Sequence, residues 1–359
     1  SYIRVRLPRP VPAGGGIRLL IDKTYQDAKS YFREGADRIV FTRSLGIRRN
    51  AVVLPAGYEL VACNVPAQVL AEPDGRILVS FFHAAPGPAD LTVRGRKLAP
   101  QQPAAAAGRE APALPPPAAA VPEVPATRES PPPAAPASPT PPSPPARPPA
   151  RPGAERRAER LAERAHQDRD IVYRLRQPES HAFDLHHDYT ESRPGTDRYL
   201  NVVRKGSRAS APSARNLDTG EPLAVETLRG EEIRRAHLDI GDGGAVGEEV
   251  GPETVVVVAR FPAVRAGESL RLRIAETYTD PASYGIEGDR LVFDRSFGRP
   301  RNSVVLPAGW YLTSSSIPAT VEETPEGLIR LDFVNARPDE IAVLVEARRR
   351  PVESGTGAH

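Results

Sequence analysis

The stretch "SHAFDLHHDYTE", residues 180–191, holds the densest group of side chains able to ligate a metal: His181, Asp184, His186, His187 and Asp188. If it forms a strand, its side chains alternate. Asp184, His186 and Asp188 then share one face, while His181 and His187 fall with Phe183, Leu185 and Tyr189 on the other. One imidazole and two carboxylates on a face make a donor set for a divalent cation. The same pattern also describes the polar outer face of a half-buried strand, and the balance of residues favours that reading. A second acidic stretch, "DIGDGGAVGEE" at 239–249, has the carboxylates and glycines of a calcium loop but not the EF-hand spacing, and reads as a turn.

A different kind of candidate comes from a duplication. "FTRSLGIRRNAVVLPAGYELVACNVPAQV", residues 41–69, returns as "FDRSFGRPRNSVVLPAGWYLTSSSIPATV", residues 293–321. The polar positions kept in both copies are Thr24, Tyr25 and Asp27 with Thr277, Tyr278 and Asp280. They also include Arg43, Ser44, Gly46, Arg49 and Asn50 with Arg295, Ser296, Gly298, Arg301 and Asn302. Paired arginines in an inter-strand loop suit a carboxylate or phosphate, so Arg43, Arg49, Asn50, Arg295, Arg301 and Asn302 are the candidate ligand-binding set. The competing structural account has an Arg pinned to the Asp of the neighbouring hairpin, Asn satisfying its own backbone, and Gly at positive φ; it is the stronger.

No constellation suits covalent catalysis. There is no G-x-S-x-G elbow and no glycine-rich phosphate loop, and the single cysteine, Cys63, corresponds to Ser315 in the second copy, which marks it as a small core residue. No cofactor is expected. With 48 basic and 45 acidic residues the formal charge is +3, too small to imply nucleic acid or an anionic membrane as partner. No apolar run approaches the roughly 20 residues that a spanning helix requires. The chain contains no methionine and opens in strand-like "SYIRVRLP", so it reads as a fragment or processed product, with any targeting signal lying upstream.

These residues must be positioned by strands. The duplicated unit extends over about 2–97 and 255–349, in short β-branched and aromatic runs such as "IRLLIDKTY", "DRIVFTRS", "AVVLP" and "RILVSFF", punctuated by Gly, Pro, Asp and Asn. Val52, Val53 and Leu54 with Val304, Val305 and Leu306 are expected to fill the two cores, with "LPAG" turning into the next strand. Residues 171–250 are again strand-like, "EEIRRAHLDI" included. The expected architecture is all-β: tandem antiparallel β-sandwich modules joined by a disordered Pro/Ala-rich linker and a short helix. Residues 1–97 form a repeat unit, the C-terminal half of a truncated module. Residues 98–152 are the linker, 153–169 a charged helix, and 170–350 a complete module made of 171–250 and the repeat unit 255–349. Residues 351–359 are a disordered tail. Of the 41 prolines, 20 sit in the linker, where Pro142, Pro145 and Arg147 make a P-x-x-P-x-R match of the kind any such stretch produces.

The order of elements in the second module resembles the N-terminal β-sandwich of the M1 aminopeptidase family. The resemblance lies in "ESHAFDLHHDYTE" as an early strand, "NLDTGEPL" as a polar turn, then "FPAVRAGESLRLRIAETY" and "VVLPAGWYLTSSS". In that family the domain is non-catalytic and flanks a zinc peptidase domain. The zinc motif H-E-x-x-H appears nowhere in this sequence, so the resemblance implies no catalytic residue here. The expectation is therefore a non-catalytic binding or scaffold protein, secreted, periplasmic or of the cell envelope, whose partner is a protein or other macromolecule. The alternative is an accessory sandwich of a metallopeptidase whose catalytic domain lies outside this chain.

Overall fold

The computed structural model describes residues 4, 6–7, 9–99, 168–238, 240 and 250–351. The linker and helix expected over 98–167, the calcium-like loop beyond Ile240 and the tail after residue 351 lie outside them, apart from 98–99. Of the expected helix, only residues 168 and 169 are described, and Arg169 opens a strand.

The first copy is built from β1 (Tyr31–Glu34), β2 (Arg38–Leu45), β3 (Arg49–Val53), β4 (Tyr58–Ala71), β5 (Ile77–Phe82) and β6 (Ala89–Lys97). The long strand β4 belongs to two layers. Its first half pairs with β6, which pairs with β2 and through it β1, while its last four residues pair with β5, which pairs with β3. A bulge between Leu60 and Ala62 marks the bend. Alternation does the rest: Ile77, Val79 and Phe81 turn inward, and Phe82 stays 60% exposed.

The block before the second copy contributes β7 (Arg169–Leu175), β8 (Ala182–Glu191), β9 (Arg198–Val202), β10 (Arg208–Asn216), β11 (Pro222–Arg229) and a helix α1 (Glu231–Arg235). "EEIRR" is thus a helical turn and not a strand. Acidic residues open it and arginines close it, as the helix dipole favours, and Ile233 is its one buried side chain. Then follow β12 (Val255–Arg260), β13 (Leu270–Thr279), β14 (Tyr284–Glu287), β15 (Arg290–Phe297), β16 (Arg301–Val305), β17 (Trp310–Glu323), β18 (Ile329–Val334) and β19 (Ile341–Arg349).

Strands β14 to β19 repeat the pairings of β1 to β6, including the bulge, now between Leu312 and Ser314. Among the described residues the second copy has neighbours that the first lacks. β13 is held between β8 and β10, β12 between β9 and β11, and β7 lies antiparallel to β8 and parallel to β16. In the first copy the stretch matching β13, residues 17–26, is exposed and non-strand, although "IRLLIDKTY" predicts a strand. Leu20 is 90% exposed there. A strand whose backbone groups have no ladder partner gains nothing over hydration, which is why the pattern alone does not suffice.

The two copies meet along β4 and β17, antiparallel, with Cys63 opposite Val321, Ala67 opposite Ala319 and Val69 opposite Ser315. Because Cys63 corresponds to Ser315 and Val69 to Val321, the first and last pairs are one contact viewed from either side, as in a two-fold interface. Cys63 Sγ donates to the carbonyl of Val65 and Ser315 Oγ to that of Ile317, so the thiol occupies a hydroxyl's place. A single apolar core runs through both copies. Over its edge Glu59, almost wholly buried, accepts from Arg96 at 2.7 Å and from Arg350 at 3.0 Å, while Arg38 and Arg96 both bind Glu323 of the second copy.

Candidate functional site

Strand β8 places Asp184, His186 and Asp188 on one face, as alternation predicts, and buries His187, Phe183 and Tyr189 on the other. The carboxylates are already engaged. Asp184 takes a bidentate contact from Arg176, 2.8 and 3.1 Å, and the hydroxyl of Thr277 at 2.7 Å; Asp188 takes both arms of Arg273 at 2.6 Å. His186 lies between two arginines, and partial burial together with Arg273 and Arg174 lowers its basicity. The face is a ladder of ion pairs across β8 and β13. Among the described residues no group of three or more His, Cys, Asp or Glu is placed to hold a metal. His181 stands before β8, capping the 3-10 turn Pro178–Ser180 with positive φ, and its Nδ1 lies 2.9 Å from the carbonyl of Tyr284.

The six loop residues divide by copy. Arg295 is nearly buried, bonded to Asp280 at 2.8 Å, with its guanidinium over the rings of Phe183, Tyr278 and Tyr173 at 5.2 to 5.7 Å. Burial alone would raise the Asp280 carboxyl, but the Ser283 hydroxyl and the Arg295 charge outweigh it and hold it below the ordinary range. In the first copy Asp27 instead bonds Ser30 Oγ at 2.7 Å, and Arg43 lies over Tyr25. Asn302 and Asn50 each donate to a carbonyl three residues back, Arg299 and Ile47. Arg301 grips Asp170 with two nitrogens and also reaches Asp168, clamping β7 onto β16. Arg49 has no such ion pair among the described residues. Gly46 and Gly298 do not adopt positive φ, contrary to expectation; at Gly298 a Cβ would press on Glu340 at 3.1 Å.

The buried carboxyl of Glu276 was not singled out by the sequence, although His187, Tyr278 and Arg295 around the neighbouring cavity were. A cavity of about 970 Å³ in the second module is lined by Tyr173, His187, Tyr199, Asn201, Tyr278 and Arg295, among others. Beside it Glu276, on the inner face of β13, accepts from Asn201 Nδ2 at 2.7 Å, and the same amide reaches Tyr278 Oη at 3.0 Å. Burial pushes the Glu276 carboxyl up to about 7, and its Oε2 has no partner among the described residues. His187 Nδ1 lies 2.8 Å from Tyr199 Oη, and burial, with Arg169 nearby, keeps its ring neutral. The sequence signal was available: Glu276 takes the apolar phase of "LRLRIAETYTD". Matching only residues kept in both copies hid it, because its counterpart is Lys23.

No family model matches the sequence, and no curated protein does. Among solved structures, 51% of the chain aligns with 42% of the M1 zinc metallopeptidase from Deinococcus radiodurans, at 16% identity and a TM-score of 0.30. A two-domain M1 zinc metallopeptidase bound to L-tryptophan aligns over 54% of this chain and 45% of its own, at 17% identity and TM-score 0.30. An aminopeptidase N family protein from Idiomarina loihiensis aligns over 50% and 29%, at 9% identity and TM-score 0.28. The chain spans less than half the length of these M1 structures. The overlap is partial and loose.

Proposed function

We propose that this chain is a non-catalytic binding module, in which the second copy and its neighbouring strands form a rigid base and the first copy presents a surface to another macromolecule. The observation that carries this reading is the contrast at one strand. β16 is covered on both edges, and Val304, Val305 and Leu306 are at most 2% exposed. Among the described residues the matching β3 pairs on one edge only, with β5, and Val53 is 40% exposed. The second copy fulfils the expectation that this segment fills a core; the first does so only at Leu54, because no strand among the described residues lies over its outer edge. An unpaired edge beside apolar side chains, on a base too well packed to rearrange, is the geometry by which sheets capture extended peptides.

Selection of short random peptides displayed on phage against the immobilised full chain tests this. Enrichment over bare support is expected, and it should collapse against the Val52→Asp variant. A pool that never enriches, or that enriches equally on the variant, overturns the reading.

A further inference from the structure

Resting on that reading, we propose that β3 and the groove beside it receive one extended strand of a partner polypeptide, laid parallel to β3, with an acidic residue opposite Arg49 and apolar residues at alternate positions after it. The second copy shows what covers this surface. There β7 runs parallel to β16, with Asp170 opposite Arg301, Ile171 opposite Asn302, Val172 opposite Ser303, Tyr173 opposite Val304 and Arg174 opposite Val305. Asp170 and Asp168 hold the Arg301 guanidinium. Tyr173 packs on Phe293 at 5.6 Å and stacks on Phe297 at 5.2 Å.

The first copy keeps most receiving parts, with Leu45 where Phe297 stands, and among the described residues it lacks the strand. Arg49, Asn50, Ala51, Val52 and Val53 stand where Arg301 to Val305 stand. Tyr31, Ile39, Phe41, Val52, Leu54 and Val93 line an apolar groove of about 310 Å³. Their counterparts Tyr284, Leu291, Phe293, Val304, Leu306 and Val345 are no more than 1% exposed, sealed by β7 and β8. Ala51 replaces Ser303, so nothing bulkier obstructs the approach. A second copy of this chain does not fit as donor, because its own β7 is already held between β8 and β16. The proline-rich stretch does not fit either, since proline has no N–H to give the ladder. The occupant is therefore a separate polypeptide segment with the acid-then-alternating pattern of "DRDIVYRL".

The test uses the full chain and a fluorescein-labelled peptide Asp-Arg-Asp-Ile-Val-Tyr-Arg-Leu-Arg, followed by anisotropy. Saturable one-to-one binding is expected, stronger than that of a scrambled peptide. Arg49→Glu should weaken it about tenfold, and a peptide with both acids changed to Arg should recover binding to that variant. Arg49 is exposed, so the variant folds, which its thermal melt verifies. A photo-crosslinker at the peptide's N-terminus should label residues around Arg49. Binding no better than the scrambled control, indifference to Arg49→Glu, or labelling around Val53 overturns the proposal. If displayed peptides still enrich in a manner sensitive to Val52→Asp, the binding reading survives while this strand chemistry falls.

Discussion

Residues 17–26 and 270–279 carry nearly the same pattern, "IRLLIDKTYQ" against "LRLRIAETYT", and only the second is a strand. β13 lies between two partners that satisfy its N–H and C=O groups on both edges; its counterpart has neither among the described residues. Leu272 and Ile274 are buried, while Leu19 and Ile21 are about half exposed. The difference teaches that a period-two pattern specifies which face would be buried, whereas neighbouring strands decide whether the strand exists.

The sharpest way to break this comparison is to place a charge at matched positions. Val304→Asp buries a carboxylate with no cation opposite it and should destabilise the second copy by about 4 kcal/mol or more. Val52→Asp, at the open edge, should cost under about 1 kcal/mol. Urea unfolding followed by circular dichroism separates the two. Equal losses would mean that β3 is as covered in solution as β16.

Much of this was legible beforehand, for identifiable reasons. Apart from residues 17–26 and "EEIRR", most strand runs follow from local pattern, and the burial of Cys63 follows from its match to Ser315. The Arg295–Asp280 pair was anticipated because both residues persist in both copies. What could not be read is non-local. Nothing within "RSxGxxRN" says that Arg301 reaches Asp170, more than a hundred residues away, while Arg49 finds no equivalent among the described residues. The junction of β4 with β17 leaves a trace only in the small residues Ala67 and Ala319, which any strand can carry. Glu276 was hidden because the duplication was used as a filter for function, and the first copy has Lys23, in the exposed stretch, at that point.

That last difference sharpens the comparison through pH. In the fold Glu276 titrates at about 7, above its ordinary value near 4.5, because it is buried. Between those values the folded protein keeps a proton that the unfolded chain releases, so stability falls as pH rises, by on the order of 3 kcal/mol once pH exceeds 7. Glu276→Gln should therefore raise the melting temperature at pH 8 and leave it nearly unchanged at pH 4.5. His187 acts in the opposite window. Its folded value lies well below 6.5, so the fold resists a proton that the unfolded chain accepts, and stability is lost as pH falls below 6.5. His187→Asn should flatten that acid limb. Lys23→Gln, at the matching exposed position, should alter neither limb. Melting curves across pH 4.5 to 8 check all three, and a flat profile for Glu276→Gln would show that its carboxyl is solvated.

The smallest expected effect concerns the arginines that open β3 and β16. Arg301 makes a bidentate contact with Asp170 and a further one with Asp168, yet about half of its side chain is exposed, so solvent screens most of the Coulomb gain. Arg301→Ala should cost about 1 kcal/mol, and the loss should shrink in 1 M salt as the Debye length contracts. Arg49→Ala removes no such pair and should be neutral. The stronger signature is local. With the clamp gone, the first turn of the β7 ladder loses its only charged fastening to β16 among the described residues, so the amides of Ile171 to Tyr173 should exchange faster while those of β18 keep their protection. Hydrogen exchange resolved by residue measures this. Uniform acceleration across β16 and β18 would mean that Arg301 supports the whole sheet, and β7 would then be an integral strand of the second copy and not a separable cover over a groove that both copies share.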